Sequence, residues 1–251
     1  MCTLCDQKIL DKTYMTEQRL ARRKLLKGAG IATAGAMMSF AGLSFAQSAP
    51  PKPGNVLKPD QALARMMAGN ERYVKGDVLQ INISQTRASL SLGQNPYACL
   101  VSCADSRIGP ELCFDEERGD LFVARVAGNF VNIDILASLE YATAVLNAPL
   151  IMVLGHSSCG AIQAAVKAYT ENASYPGHIQ ALTTALAPAV REASKKAKGD
   201  ALVNAATVEN VRLNVNMLRE SNPIISERVS KGLLKIVGGI YDLPSGRVSL
   251  I

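Results

Sequence analysis

The sequence predicts an α/β fold in which a mostly parallel central β-sheet is flanked by helices. Short apolar runs alternate with longer amphipathic segments along most of the 251 residues, as is typical of chains built from β-α-β units. The runs hold few polar residues, as expected of parallel strands that are covered on both faces. The chain has no tryptophan and only 5% aromatic residues, so we expect an aliphatic core.

The amino-terminal residues 1–46 resemble a twin-arginine signal peptide. Residues 21–27 read Ala-Arg-Arg-Lys-Leu-Leu-Lys, and the Gly- and Ala-rich residues 28–46 carry no charge after Gly28. Small residues before Gln47 suit cleavage near Ala46. A membrane anchor is the alternative, because the run is just long enough to span a bilayer. We expect cleavage and a periplasmic protein with no membrane partner beyond the export machinery.

Charge and domain organisation separate this segment from the rest of the chain. The net charge is +6, but residues 1–46 hold seven basic and three acidic residues, which leaves only +2 for the remainder. We therefore expect no nucleic-acid partner. Residues 47–58 are predicted to be a proline-rich linker, and residues 59–251 a single folded domain.

The first half of the domain opens with a helix at Pro59-Asp60, because proline suits a first helical turn. Gly76 ends this helix, and Gly93 ends the next. The segment Asn132–Leu146 has so many apolar positions that we expect it to be buried on most sides. The predicted elements are a helix over 59–76, a helix over 84–92, a strand over 97–102, a helical turn over 110–114, a strand over 121–126, a helix over 132–146 and a strand over 149–154.

The second half continues the alternation and ends in a hairpin. Pro188 is expected to interrupt the helical segment that contains it, so that segment is predicted as one or two helices. Asp242–Gly246 forms a turn, which makes the last strand an antiparallel edge strand. The predicted elements are a helix over 160–169, a loop over 171–178, helical residues 179–198, helices over 207–220 and 222–231, and strands over 233–241 and 248–251.

Two strand ends carry reactive side chains. The first strand runs into Cys103-Ala-Asp-Ser-Arg107, and the third into Gly155-His-Ser-Ser-Cys-Gly160. Ligands bind at the carboxyl ends of strands in open parallel sheets. Two thiolates and an imidazole, from Cys103, His156 and Cys159, are a donor set that zinc favours. Three protein ligands leave one position open for a water, whose pKa zinc lowers.

Asp105 and Arg107 are predicted to work as a pair. A bidentate contact from Arg107 would keep the Asp105 carboxylate ionised and oriented, so that it can accept a hydrogen bond from a zinc-bound hydroxide. Structural explanations exist for each motif taken alone: a buried cysteine acting as a small hydrophobe, a loop salt bridge, or Ser157 or Ser158 as a helix cap. The occurrence of both motifs together, each at a strand end, favours a zinc site over these structural explanations.

The two motifs, Cys-x-Asp-x-Arg and His-x-x-Cys, resemble those of the β-class carbonic anhydrases. The similarity runs from about Pro59 to the end of the chain. It includes Ala-x-x-Arg-Met-Met-x-Gly-Asn-Glu-Arg-Tyr at 62–73, Arg-Val-Ala-Gly-Asn at 125–129 and Ser-Leu-Glu-Tyr at 138–141. The resemblance implies one zinc ion per subunit on Cys103, His156 and Cys159, with Asp105–Arg107 as the catalytic dyad.

The same resemblance implies reversible hydration of carbon dioxide to bicarbonate by a zinc-bound hydroxide. Gln94, Phe122 and Tyr141 match the substrate pocket of the plant-like subgroup, and the Gly160 N–H is a further candidate contact. In the family this pocket lies at a dimer interface, which implies a homodimer or a higher assembly such as a tetramer. Leu100 replaces the tryptophan of the other subgroup, so we expect no inhibitory bicarbonate site and no Asp105–zinc bond at neutral pH.

Two alternatives to a carbonic anhydrase stay open at this point. A relative on the same scaffold could hydrolyse carbon disulfide or carbonyl sulfide. A structural zinc or redox protein would need a fourth ligand, from Cys99 or Cys113. We expect these two cysteines to be buried free thiols rather than a disulfide, because Cys99 lies inside a strand. His178 is expected at the surface rather than in a proton relay.

Overall fold

A five-stranded sheet forms the centre of the described part of the chain, which comprises residues 52–80 and 83–251 in the computed structural model. The strand order is β2-β1-β3-β4-β5. The first four strands pair in parallel and β5 pairs antiparallel with β4, which confirms the predicted fold class. The strands are β1 (Ala98–Ser102), β2 (Leu121–Arg125), β3 (Leu150–His156), β4 (Lys235–Tyr241) and β5 (Val248–Leu250).

Helices cover both faces of this sheet. The first of them ends at Gly76, whose φ of 75° is the left-handed conformation that glycine adopts most easily. A short 3-10 turn, Pro53–Asn55, precedes them. The helices are α1 (Pro59–Lys75), α2 (Ile83–Leu90), α3 (Pro110–Cys113), α4 (Ile133–Ala144), α5 (Gly160–Glu171), α6 (Ile179–Ser194), α7 (Asp200–Glu220) and α8 (Ile224–Ser230).

Two hydrophobic layers sit on opposite faces of the sheet because successive strand residues point to opposite sides. Leu100 and Met152 belong to the layer under α1 and α3, whereas Val101 and Val153 belong to the layer that includes α4, α7 and α8. The buried residues of the second layer are aliphatic apart from Cys99, as expected from the composition, whereas the layer under α1 and α3 also buries Tyr97, Phe114 and Tyr241. No helix within the described residues has the length and apolar character needed to span a membrane.

Helix boundaries differ from the predictions at two places in the second half. Pro188 lies inside one continuous helix, α6, and does not divide it. Its neighbours Leu186 and Val190 are fully buried, so packing outweighs the loss of one backbone hydrogen bond. Helix α7 begins at Asp200 rather than at residue 207, because Leu202 and Ala206 extend its buried face by two turns.

The expectation that the segment 132–146 is buried on most sides is wrong. In α4 only Leu139, Ala142 and Thr143 are buried. Ile133 is 74% exposed and Tyr141 is 48% exposed. One face of the helix packs on the sheet and on α8, and its apolar outer face has no covering element within the described part of the chain.

Lys52 and Asn55, just before α1, form polar contacts with the rest of the domain. Lys52 Nζ contacts Asp120 Oδ2 at 2.8 Å, and the buried Asn55 Nδ2 donates to the Asn95 main-chain oxygen at 2.6 Å. Arg65 in α1 contacts Asp120 as well. The carboxyl-terminal part of the predicted linker therefore packs on the loops that flank β1 and β2. The predicted signal, residues 1–46, lies outside the described residues.

Candidate metal centre

The carboxyl ends of two adjacent strands bring the predicted ligands together. Cys103 follows β1 directly, and His156 is the last residue of β3, so it lies in the strand and not in the following loop. Strands β1 and β3 are parallel neighbours. Ser158, with a φ of 55°, turns the chain so that Cys159 becomes the residue preceding α5.

These three side chains form one buried cluster. The candidate ligand atoms of Cys103, His156 and Cys159 all lie within 4.8 Å of one another. The two sulfur atoms are 4.0 Å apart. The exposed fractions are 4%, 0% and 1%, so almost none of these side chains is in contact with bulk solvent.

The histidine ring is oriented for metal binding. Its Nδ1 lies 2.9 Å from the main-chain oxygen of Ser157. A carbonyl can only accept, so Nδ1 carries a proton, and in the neutral ring Nε2 then carries the lone pair. His156 Nε2 is buried and has no hydrogen-bond partner. A lone pair with no partner, beside two sulfur atoms, fits a zinc ion, since a ligating histidine usually donates its other ring N–H to a carbonyl or carboxylate.

The cluster favours a thiolate. Hydrogen bonding with Cys159 holds the pKa of Cys103 below its usual range, and the same contact raises the pKa of Cys159. The Gly128 N–H also donates to Cys103 Sγ, at 3.3 Å. The pair therefore holds one negative charge readily, and a cation is needed for both sulfur atoms to be ionised together.

The pair Asp105–Arg107 has the predicted bidentate geometry. Arg107 Nε donates to Asp105 Oδ1 at 2.9 Å, and a terminal guanidinium nitrogen donates to Oδ2 at 2.7 Å. The Arg107 main-chain N–H donates to Oδ1 as well, at 2.9 Å. These bonds hold the pKa of Asp105 far below its usual range. Its Oδ2 lies 3.9 Å from His156 Nε2, so an ionised carboxylate borders the cluster.

Arg125 is a residue of the site to which the sequence assigned no role. It is the last residue of β2, and its guanidinium donates to three main-chain oxygens of the loop after β1, those of Cys103, Asp105 and Ile108. The distances are 2.9, 2.7 and 2.9 Å. The available signals were its place at the end of a strand and its position in the Arg-Val-Ala-Gly-Asn motif at 125–129. Its targets are backbone atoms, which a sequence does not reveal.

The residues predicted to bind substrate are brought together only in part. Phe122 and Tyr141 lie close, with ring centroids 6.5 Å apart. Gly160 is the exposed first residue of α5, next to Cys159. Gln94 is exposed in the loop before β1 and takes part in none of the hydrogen bonds described above.

The remaining cysteines and the second histidine do not join the cluster. Cys99 and Cys113 are buried free thiols, as expected, and burial raises the pKa of Cys99 to about 12. Neither belongs to the group of candidate ligands among the described residues. His178 is exposed just before α6, which confirms its surface position.

Comparisons with known proteins agree with this geometry. A family model described as carbonic anhydrase matches residues 98–248. Carbonic anhydrase 2 of Mycobacterium tuberculosis is 39% identical over 193 residues, covering 76% of this chain and 92% of that protein. The solved β-carbonic anhydrase CcaA has a TM-score of 0.59 and 30% identity, covering 75% of this chain and 94% of that one.

A third comparison extends the likeness of the fold. Two tetrameric β-carbonic anhydrases of Sordaria macrospora have been solved, and the match to them has a TM-score of 0.60 and 24% identity, covering 76% of this chain and 94% of that one. The family match includes both motifs that form the Cys-His-Cys cluster. This chain belongs to the carbonic anhydrase family, in its β class.

Proposed function

We propose that this enzyme hydrates carbon dioxide reversibly to bicarbonate and a proton, with one zinc ion per subunit on Cys103, His156 and Cys159. The observation that carries the proposal is the buried His156 Nε2 without a partner, grouped with two sulfur atoms 4.0 Å apart. A zinc ion at this position supplies a Lewis acid that makes water a competent nucleophile near neutral pH.

Asp105 and Arg107 form the dyad that orients the attacking oxygen. The Asp105 carboxylate stays ionised because Arg107 donates to both of its oxygens. It accepts a hydrogen bond from the nucleophile, whose lone pair is then free to point at the carbon of carbon dioxide. Since Arg107 occupies both carboxylate oxygens, the arrangement supports a catalytic role for Asp105 rather than direct ligation of the metal.

Phe122 and Tyr141 form the wall against which carbon dioxide lies. Their adjacent rings offer an apolar surface suited to a molecule without charge or hydrogen-bond donors. Gln94 and the Gly160 N–H serve as donors to bicarbonate. Leu100 is fully buried in β1, at the position where the other subgroup has tryptophan, which supports assignment to the plant-like subgroup.

The working unit is a homodimer or a multiple of it. The apolar outer face of α4 supports this assembly, since Ile133 is 74% exposed and Val145, directly after the helix, is 58% exposed in the single chain. Large exposed apolar patches commonly mark protein–protein interfaces. A second subunit on this face would also cover Tyr141 and complete the substrate pocket.

The enzyme acts in the periplasm. This part of the proposal rests on the twin-arginine motif at 21–27 and on the uncharged segment that follows it. The twin-arginine route carries folded proteins, which would allow zinc to be loaded before export. Cell fractionation of the wild type and of the double variant R22K/R23K tests it: a cytoplasmic wild type would contradict the assignment.

Metal removal and return tests the reaction itself. Zinc content and stopped-flow hydration of carbon dioxide are measured on the purified chain, after chelation and after zinc is restored. We expect one zinc per chain, loss of hydration on chelation and recovery with zinc. Full zinc occupancy without hydration would contradict the proposed activity.

A further inference from the structure

Two buried asparagines of α7 hold the turn that follows β2. Asn210 Nδ2 donates to the Gly128 main-chain oxygen at 2.8 Å. Asn214 Oδ1 accepts from the Val131 N–H at 2.7 Å. The two side chains are 3% and 4% exposed. Together their hydrogen bonds fix both ends of the turn at residues 128–131.

The asparagines are also bonded to each other. Asn214 Nδ2 donates to the Asn210 main-chain oxygen at 2.8 Å and to Asn210 Oδ1 at 3.1 Å. Because Asn210 Oδ1 accepts this bond, the amide of Asn210 is oriented with its nitrogen toward Gly128. The result is a connected polar network in a buried part of the domain, where each bond supports the geometry of the next.

The same turn carries the amide that reaches the metal cluster. The Gly128 N–H donates to Cys103 Sγ at 3.3 Å. Gly128 has a φ of 86°, and a Cβ there would lie 2.7 Å from Leu186 Cδ1, so the position requires glycine. Glycine has the greatest backbone freedom of any residue. The direction of the Gly128 N–H therefore depends on the hydrogen bonds made by the neighbouring peptide groups. Asn210 bonds the peptide group on the carbonyl side of Gly128.

We propose that Asn210 and Asn214 are positioning residues for the metal centre, keeping the Gly128 N–H directed at the Cys103 sulfur. The inference rests on the proposed function in one respect, that Cys103 ligates zinc. A hydrogen bond to a ligating sulfur draws charge away from it and fixes its direction. Partners of this kind typically change metal affinity or activity by 10- to 100-fold when removed.

The variant Asn210→Leu tests this role, since leucine is close in size and cannot donate to Gly128. Zinc affinity is measured by competition with a chromophoric chelator. Cobalt(II) in place of zinc reports on the sulfur through its thiolate charge-transfer band. We expect zinc binding about 10- to 100-fold weaker and a displaced cobalt band.

Asn70→Leu is the matched control. Asn70 is 1% exposed and donates to the main-chain oxygens of Cys113 and Gly246, each at 2.9 Å. It is an equally buried asparagine that holds backbone elsewhere, so its loss is expected to lower the melting temperature while leaving zinc affinity and the cobalt band as in the wild type. Wild-type affinity and band in Asn210→Leu, or equal changes in Asn70→Leu, would overturn the proposal.

If Asn210→Leu does not fold, Asn210→Ser provides the same measurement, because its shorter hydroxyl cannot reach the Gly128 oxygen. An unchanged affinity and band in that variant also overturns the proposal. The outcome is separable from the proposed activity. A wild-type chain that binds zinc but does not hydrate carbon dioxide contradicts the activity alone, whereas a chain that binds no zinc contradicts both.

Discussion

The Arg125 guanidinium donates a hydrogen bond of 2.9 Å to the main-chain oxygen of Cys103, the first candidate metal ligand. The same guanidinium bonds two further carbonyls of this loop. One side chain at the end of β2 thereby fixes the path of the chain through Cys103 and Asp105, which carry the metal bond and the dyad in our proposal.

Arg125→Lys is expected to lower hydration activity about 10- to 100-fold. Lysine keeps the charge but has a single nitrogen, which cannot hold the three carbonyls in the same planar geometry. Stopped-flow hydration measures the effect. Arg247→Lys is the control, since Arg247 forms an exposed pair with Glu71. Equal activity in Arg125→Lys and Arg247→Lys would contradict a role for the three hydrogen bonds of the Arg125 guanidinium.

The Asp105–Arg107 pair is expected to make the free energy of unfolding depend on pH, with greater stability at higher pH. Arg107 holds the pKa of folded Asp105 below the value of about 3.9 expected when unfolded. The ionised pair therefore stabilises the fold above about pH 4, and that contribution is lost as the pH falls toward the folded pKa. In metal-free protein, we expect Arg107→Met to be less stable than the wild type at pH 6 and the difference to shrink below pH 4, as followed by urea unfolding.

A constant stability difference between pH 6 and pH 3 would contradict this account of the pair. Lys231→Met is a suitable control, because both side chains of the Lys231–Glu227 pair are exposed. This substitution is expected to leave the free energy of unfolding unchanged at either pH.

Arg65 neutralises a buried acidic group. It contacts Glu116 and Asp120, whose side chains are 3% exposed, and the Tyr97 hydroxyl donates to Glu116 at 2.8 Å. Asp120 keeps its contact with Lys52, so Glu116 is the acid that would lose its cation. Removing one partner of a buried ion pair leaves an uncompensated charge and costs about 3 kcal/mol or more. We expect Arg65→Met to lower the free energy of unfolding by about this amount in urea titration, and a change close to zero would show that water already solvates the acids.

The outer face of α4 is expected to be an interface between subunits. Val145→Glu places a charge on that face and should shift the chain toward monomer in sedimentation velocity. Met217→Glu, on a residue of α7 that is 43% exposed, serves as the control and should leave the sedimentation coefficient unchanged. A wild type that sediments as a monomer at micromolar concentration would contradict the assembly.

The grouping of the candidate metal ligands could be predicted because their positions follow from a simple rule. Cys103 and His156 end two apolar runs, and parallel strands bring their carboxyl ends to one edge of the sheet. The Asp105–Arg107 pair was also predictable, since its partners are two residues apart. This short separation lets the Arg107 guanidinium reach both carboxylate oxygens of Asp105.

The supporting residues could not be predicted on the same basis. Arg125, Asn210 and Asn214 bind main-chain atoms of distant segments, and no side-chain pattern marks a carbonyl as a partner. The early start of α7 and the continuity of α6 through Pro188 depend on tertiary packing, which overrides local signals. The apolar residues of α4 predicted burial on most sides, but only one face of the helix is buried and Ile133 and Tyr141 are exposed.

In our proposal Asp105 orients the nucleophile that a zinc ion held by Cys103, His156 and Cys159 would supply. The most direct measurement is kcat/KM for carbon dioxide hydration by Asp105→Asn, which keeps the size of the side chain, with zinc content determined on the same samples. We expect full zinc occupancy and a loss of about 10²- to 10⁴-fold in kcat/KM. Wild-type kcat/KM at full zinc occupancy would contradict it.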